Sequence, residues 1–421
     1  MGLRKNFQNK DFLAFWLAQL ISQFGDRINQ MALVGLVAGY KMGSAVELAK
    51  LMAFTIIPVF VVGPIAGVFV DRWDRKVTLF VCDIARGLLI LLIPLIFIRW
   101  HSMWPTYVIV FLAFCLSRFY VPAKMSIIPE IVDESQLHAA NSLATVTGMI
   151  AFVLGALLGG LIVEYAGAKG GFLCDSVTFF ISAALISLIS HRRYKMEPKK
   201  IVETGREMAS AYKVVVHEIV DGIRYIFAHR DILYVINLMM ILFMAVGAIY
   251  IVIIVFIQGA FGSVTKHLGF LAVGLGIGLF LGSIAYGRYG KKGRHVETIF
   301  VCLILGGAMM SLFAFTVFHS RNIWVAQALA GLLGFVVGPI VIAANTVVHL
   351  VCSREMQGKI FSALEFVIHL GFLVTMLVSS KVSEFVGTFW ILITVSVIFG
   401  LVGVWGLFSY RQKKFMTGES I

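Results

Sequence analysis

Long apolar runs, rather than alternation of polar and apolar positions, dominate this chain. Twelve of them lie at 12–39, 48–70, 77–98, 105–124, 139–166 and 172–190, and again at 232–258, 267–288, 297–318, 323–350, 360–384 and 388–410. A helix needs about 20 mainly apolar residues to cross the hydrocarbon of a bilayer. Barrel strands would read as short alternating segments, so they are excluded. One long polar stretch, His191 to Asp231, divides the runs into two sets of six. The pattern predicts an all-α polytopic membrane protein with twelve transmembrane helices. Residues 1–190 and 232–421 form two pseudo-symmetric six-helix bundles, joined by a linker at 191–231, and the second bundle ends in a short basic tail. Within the linker, Glu218 to Phe227 alternates polar and apolar faces at helical spacing. That segment reads as a helix lying along the membrane surface with its apolar face inward, or as a solvated linker helix.

Composition agrees with the pattern. Of 421 residues, 60% are hydrophobic and 14% charged, whereas a soluble domain carries roughly a quarter charged residues. Soluble enzymes, nucleic-acid binders and disordered regulators are poor readings. The net charge of +13 is explained by topology. With both termini in the cytoplasm, 25 lysines and arginines fall on cytoplasmic segments and seven on outer loops, as the positive-inside rule requires. Nucleic acid is therefore not expected as a partner. The first ten residues carry three cations, and the apolar stretch after them is too long for a signal peptide, so the N-terminus is expected to stay inside. Cys82, Cys115, Cys174, Cys302 and Cys352 are scattered and read as buried thiols, with neither metal spacing nor a disulfide framework. No nucleophile elbow, HExxH or Walker sequence occurs. Gly274-Leu-Gly276-Ile-Gly278 falls inside an apolar run, and with Gly282 forms a smooth packing face rather than a phosphate loop. The expectations are no enzyme, no catalytic residue, no cofactor and no metal.

The segment between the second and third runs reads Gly67-Val-Phe-Val-Asp71-Arg72-Trp-Asp-Arg75-Lys76. It resembles the G-x-x-x-D-R-x-x-R-K signature of the major facilitator superfamily. Gly67 would let its helix approach a neighbour closely, and the cations could pair with acids or helix carbonyl ends as a cytoplasmic gate. The corresponding stretch of the second half, Gly282 to Lys292, keeps glycines and cations but lacks an aspartate. Gln23-Phe-Gly-Asp26, Asp83-Ile-Ala-Arg86, Pro122-Ala-Lys124, Asp221 to Tyr225 and Gln357 to Phe361 are similar to the macrolide-efflux-like, drug–proton antiporter branch. The Phe-Gly-Asp and Pro-Ala-Lys stretches are also similar to lysophospholipid transporters. The resemblance implies a monomeric secondary transporter of the bacterial cytoplasmic (inner) membrane, working by alternating access. Its cargo would be an amphipathic drug-, siderophore- or lipid-like molecule, or a lysolipid moved between leaflets; a non-transport membrane scaffold or enzyme is the alternative of another class. With no ATPase motif, a proton or sodium gradient would drive transport. Gly148, Gly155-Ala156 and Gly159-Gly160 partly match the family's antiporter motif, with Ala156 where a proline is usual. These glycines are expected either to pack tightly against the other half or to serve as generic small-residue packing.

Charges inside the runs complete the candidate site, since each costs at least about 2.5–3.5 kcal/mol on insertion scales. Asp26 is expected to be the titrating, cation-coupling carboxylate. Arg118, in the region of the family's span-four arginine, would bias its protonation or meet an anionic headgroup. A fixed structural ion pair is the alternative. Asp83 and Arg86, three apart on one helix face, read as a structural pair. Arg27 points about 100° away from Asp26, toward another helix. Glu365 and His369, four apart, form either a second protonatable pair or a structural one. Some of the many Phe and Met side chains are expected to line a greasy, adaptable cavity.

Overall fold

A computed structural model describes residues 7–100, 102–190, 217, 220–222, 224–290, 294–351 and 357–417. The linker up to residue 216, together with Lys291, Lys292, Cys352 and Arg354, lies outside the described residues. Helices α1 (Lys10–Tyr40), α2 (Ala45–Val61), α3 (Gly63–Val70), α4 (Arg75–Trp100), α5 (Met103–Ile131) and α6 (Leu137–Ser187) precede the linker. After it come α7 (Arg230–Phe261), α8 (Lys266–Tyr289), α9 (His295–Ser320), α10 (Ile323–Val351), α11 (Gln357–Val386) and α12 (Thr388–Thr417). Among the described residues there is no strand. Residues 220–222 and 224–228 of the linker are helical as well.

Among the described residues nine helices are long and apolar enough to cross a membrane, ten if the bent pair α2–α3 is one span. The bend of 54° has a local cause. Pro58 stands inside α2, and Gly63 and Pro64 open α3, where a ring without an N–H fits a first turn. The helix α6 is 51 residues long, but Gly167 inside it has φ 70° and ψ 174°. Eight residues along a straight helix span about 12 Å, yet a Cβ on Gly171 would lie 2.8 Å from the Val163 side chain. The chain therefore folds back on Gly167, and α6 is two spans. The twelfth is α1, whose charged and amide side chains keep it off an apolarity count. Gln19, Ser22, Gln23, Asp26, Asn29 and Gln30 recur every three or four residues, one face of a helix.

The chain divides into two compact units, Met1–Gly39 with Leu51–Glu218, and Tyr40–Lys50 with Ile219–Ile421. In the first, α4 packs on both α5 and α6, and Phe12, Phe15, Leu79, Tyr120, Ile127 and Ile186 form a buried cluster. Gly155 and Gly159 bring α6 against α1. A Cβ on Gly155 would lie 2.9 Å from the Arg27 Cβ, and one on Gly159 would lie 2.9 Å from the Ile28 Cα. Two expectations stood for these glycines, packing against the other half or generic small-residue packing; Gly160 beside them is buried, and the contacts of Gly155 and Gly159 are of the second kind. The partner of Gly155 and Gly159 is the first helix of their own unit.

In the second unit α8 packs on α10, α9 on α12 and α11 on α7. The glycine face of α8 meets backbone. A Cβ on Gly274 would lie 2.9 Å from the Gln327 carbonyl oxygen, and one on Gly338 of α10 would lie 2.6 Å from that of Leu279. Two helices this close gain dispersion contacts that larger residues would forfeit. Ile226 of the linker helix is buried in this unit's core with Leu238, Val296 and Ile299, while Phe227 beside it is exposed.

Large apolar side chains are exposed along most helices, for example Leu95, Val177, Leu281, Phe315 and Leu401. No water-soluble surface carries so much hydrocarbon. Trp104, Tyr165, Trp324 and Trp390 are exposed within a few residues of helix ends, the place where amphipathic rings favour the bilayer interface. Of the cysteines expected to be buried, Cys82 and Cys302 are, Cys115 is half-buried and Cys174 is exposed. A thiol can sit on a hydrocarbon-facing surface at little cost.

Candidate functional site

A cavity of about 290 Å³ opens within the first unit. Its walls come from the polar face of α1, from Arg86 and Ile90 of α4, from Ser117, Arg118 and Lys124 of α5, and from Phe179 of α6. Among the described residues no methionine lines it, while the rings of Phe114, Tyr120 and Phe179 do. The apolar part of the wall comes from α4, α5 and α6, and the amides, hydroxyls and charges beside it come largely from α1, because the face α1 turns inward is its polar one.

Arg86 is the centre of this arrangement. It is 3% exposed, in the middle of an apolar helix. Its Nη2 donates to Asp83 Oδ1 one turn earlier, and its Nη1 lies 3.7 Å from Asp26 Oδ1 across on α1. The guanidinium plane sits 4.2 Å from the ring centroids of both Tyr120 and Phe179. Asp83 is fully buried, and its second oxygen accepts from Ser182 Oγ at 2.6 Å. Tyr120 is fixed in turn by Gln19, whose Nε2 donates to the phenol oxygen at 2.6 Å. Charge in a low-dielectric interior is tolerable only when paired and hydrogen-bonded, and this cluster supplies both. The Asp26 side chain differs from the other two: it is 46% exposed and lines the cavity.

Asp83 and Arg86 are thus paired, but Arg86 is also the cation that reaches Asp26. The expected Asp26–Arg118 partnership is corrected accordingly. Arg118 lines the same cavity, while the ion pair of Asp26 is made by Arg86. Lys124 is a second correction, having been placed among the cytoplasmic segments. The helix α5 continues through Pro122 and Pro129 to Ile131, which puts Lys124 on the cavity wall. Arg27 turns away from Asp26 toward α6, with its guanidinium 4.9 Å from the Phe152 ring centroid and Nη1 donating to Gln30 at 2.9 Å.

The signature segment has a geometry of its own. Asp74 caps α4, its Oδ1 accepting from the Val77 N–H at 2.9 Å. Arg75 pairs with Glu130 near the end of α5 at 3.2 Å. Lys76 Nζ donates to the Ser187 carbonyl at 2.9 Å and the Ile189 carbonyl at 2.6 Å, at and just beyond the end of α6, where carbonyls lack helical partners. Nearby, Asn9 donates to the Ile131 carbonyl at 2.6 Å, and Asp11 accepts from the Ser190 N–H at 2.8 Å. Asp71 and Arg72 follow α3 and are exposed. Gly67 departs from expectation: a Cβ there would meet no atom within 4 Å, so no close helix approach is made at this residue.

Glu365 and His369 belong to the second unit. His369 Nδ1 lies 2.8 Å from the Glu365 carbonyl oxygen and 3.3 Å from its carboxylate, which is exposed. Among the described residues no cluster of His, Cys, Asp and Glu could hold a metal ion.

Reading by sequence passed over Asp175. It is a fully buried carboxylate in the second arm of α6, and a Cβ on Gly25 would lie 2.5 Å from its Oδ1. The signal was an isolated acid inside an apolar run.

Comparison with known proteins follows the same lines. The model of the Major Facilitator Superfamily matches residues 15–264 and 236–417. The chain is 29% identical over 181 residues to the MFS-type transporter YfiS of Bacillus subtilis, covering 43% of this chain and 42% of that one. It is 20% identical over 307 residues to macrolide efflux protein A of Streptococcus pyogenes, covering 72% of each. To the putative bacilysin exporter BacE of Bacillus subtilis it is 24% identical over 320 residues, covering 72% of this chain and 71% of that one. A bacterial homologue of the iron transporter ferroportin, solved in an inward-facing state, has the same fold. Its TM-score is 0.69 at 13% identity, with 94% of this chain and 98% of that one covered. Spanned by that family model almost from end to end, this integral membrane protein belongs to the Major Facilitator Superfamily of transporters.

Proposed function

We propose that this transporter exports an amphipathic, drug-like small molecule across the bacterial cytoplasmic membrane, with Asp26 as its ion-coupling carboxylate. The observation that carries the reading is the division of labour around Arg86. Asp83 is buried and holds Arg86 permanently, whereas Asp26 faces the cavity and shares the same guanidinium at 3.7 Å. Neutralising Asp26 therefore leaves Arg86 paired, so a proton or sodium ion can come and go there without orphaning a buried cation. The polar groups on the cavity wall suit one end of an amphipathic cargo, the cations Arg118 and Lys124 among them. The exporters named among the relatives support efflux. Both termini lie in the cytoplasm, and a single chain works by alternating access between its two halves. The Arg75–Glu130 and Lys76–carbonyl contacts serve as the separable gate on the cytoplasmic side.

The test uses purified full-length protein in proteoliposomes with a fluorescent amphipathic dye and imposed proton or sodium gradients. Uphill dye movement in the wild type that is lost in Asp26→Asn, while dye binding persists, supports the reading. Unchanged gradient dependence in Asp26→Asn removes the coupling role. Movement of a fluorescent lysolipid between leaflets without dye transport replaces the export reading with lipid translocation.

A further inference from the structure

Asp175 occupies a position that the transport reading does not use. It sits in the second arm of α6 and is wholly shielded from solvent. Its Oδ2 meets no hydrogen-bond partner. Thr178 Oγ1 stands 3.4 Å from Oδ1, but that hydroxyl has one proton and donates it to the Asp175 main-chain carbonyl at 2.7 Å. The carboxyl thus has no full donor at either oxygen.

Its neighbours are the parts that carry the charge cluster. Oδ1 is turned toward Gly25, the residue before Asp26, and only the lack of a Cβ there admits it. One residue on, Ser176 Oγ donates at 2.8 Å to the carbonyl of Gly87, next to Arg86. Phe179 lies against the Arg86 guanidinium, and Ser182 donates to Asp83. Two turns of α6 therefore touch the turn of α1 bearing Asp26 and the turn of α4 bearing Asp83 and Arg86. The charged groups acting on Asp175 are those three: Asp26 of α1, and Asp83 and Arg86 of α4.

We propose that Asp175 is a second proton site of the transporter, a positioning residue whose protonation sets the charge balance felt by Asp26. The proposal rests on the ion-coupling reading above, with the proton as the ion, and deepens it. Arg86 is engaged by two carboxyls, Asp83 and Asp26, and Asp175 lies against Gly25, next to the second of them. A third negative charge, buried and without a donor, is the least tolerable member of the set. A proton binding there removes that charge and supplies an O–H. No other bond forms or breaks, and the proton comes from water reaching the cavity at Asp26. Sites this close titrate as a coupled set, so loading one changes the readiness of the other to release.

Infrared difference spectra between acid and alkaline pH, recorded on reconstituted wild type and Asp175→Asn, read the site without transport. A protonated-carboxyl C=O band present in the wild type and missing in Asp175→Asn is expected. Asp175→Asn should also displace the pH profile of dye transport by about one unit, a tenfold change in proton activity. Should Asp175→Asn fail to fold, Thr178→Val is recorded instead, and the band should shift as the hydroxyl is lost. Absence of any band assignable to Asp175 overturns the proposal. So does loss of the band with an unmoved pH profile, which would make the residue structural only. If the wild type moves no dye under any gradient, the export reading falls, and the band alone then decides whether Asp175 binds a proton.

Discussion

Replacing Arg86 with glutamine removes a cation shared by two carboxylates. Asp83, fully buried, would keep Ser182 but lose its counter-charge, and Asp26 would lose the contact at 3.7 Å. Breaking one side of a buried pair costs about 3–5 kcal/mol. The guanidinium's position between the Tyr120 and Phe179 rings is also lost, each contact contributing about 2 kcal/mol when desolvated, although these losses overlap. We expect Arg86→Gln to destabilise the protein by about 3–5 kcal/mol, a large share of a typical stability of 5–15 kcal/mol. Asp83→Asn should cost less, because Arg86 would then turn to Asp26. The double variant Asp83→Asn, Arg86→Gln should fall short of the sum by about 2 kcal/mol, as expected for residues in direct contact. Reversible unfolding of all three variants in one detergent measures these terms. Additive costs, or Asp83→Asn proving worse than Arg86→Gln, would refute the view that Arg86 is held twice.

Other predictions test the packing. Gly338→Ala places a methyl 2.6 Å from the Leu279 carbonyl oxygen and should cost about 1–3 kcal/mol in thermal unfolding. Gly67→Ala, with nothing within 4 Å, should stay within about 0.5 kcal/mol of wild type in the same measurement. Gly167→Ala forces a side chain into φ 70°, ψ 174°, a region open essentially to glycine, and should lose about 1–3 kcal/mol. Glu130→Gln removes a half-exposed partner of Arg75 and should change stability by less than about 1 kcal/mol. If that pair belongs to a gate, the same variant should alter dye transport rate well beyond its effect on the melting temperature.

The spans were legible because twenty-residue apolar runs have no other stable use. The Asp83–Arg86 pair was legible because i, i+3 spacing is a local rule. What spacing cannot give is the face that one helix turns toward another. Arg118 was therefore offered to Asp26, although Arg86 makes the pair. Lys124, at the end of the fourth apolar run, was counted with the cytoplasmic segments, yet α5 continues through Pro122 and Pro129 to Ile131. Local proline chemistry yielded there to a helix supported along its length by neighbours. Asp175 was overlooked because its significance lies in what it lacks, hydrogen-bond donors, and a sequence does not display that. Gly155 and Gly159 were read as packing residues, and their neighbour, the first helix of their own unit, could not be named without the fold.

The turn at Gly167 has a mechanical consequence. Two membrane-crossing arms joined through one residue leave little slack between them, and only a few exposed residues about Tyr165 and Lys169 for a protease, an antibody or an inserted tag to grip. Any axial slide of the arm bearing Gly155 and Gly159 must be answered at once by the arm bearing Asp175, so the pair acts as a single stiff lever.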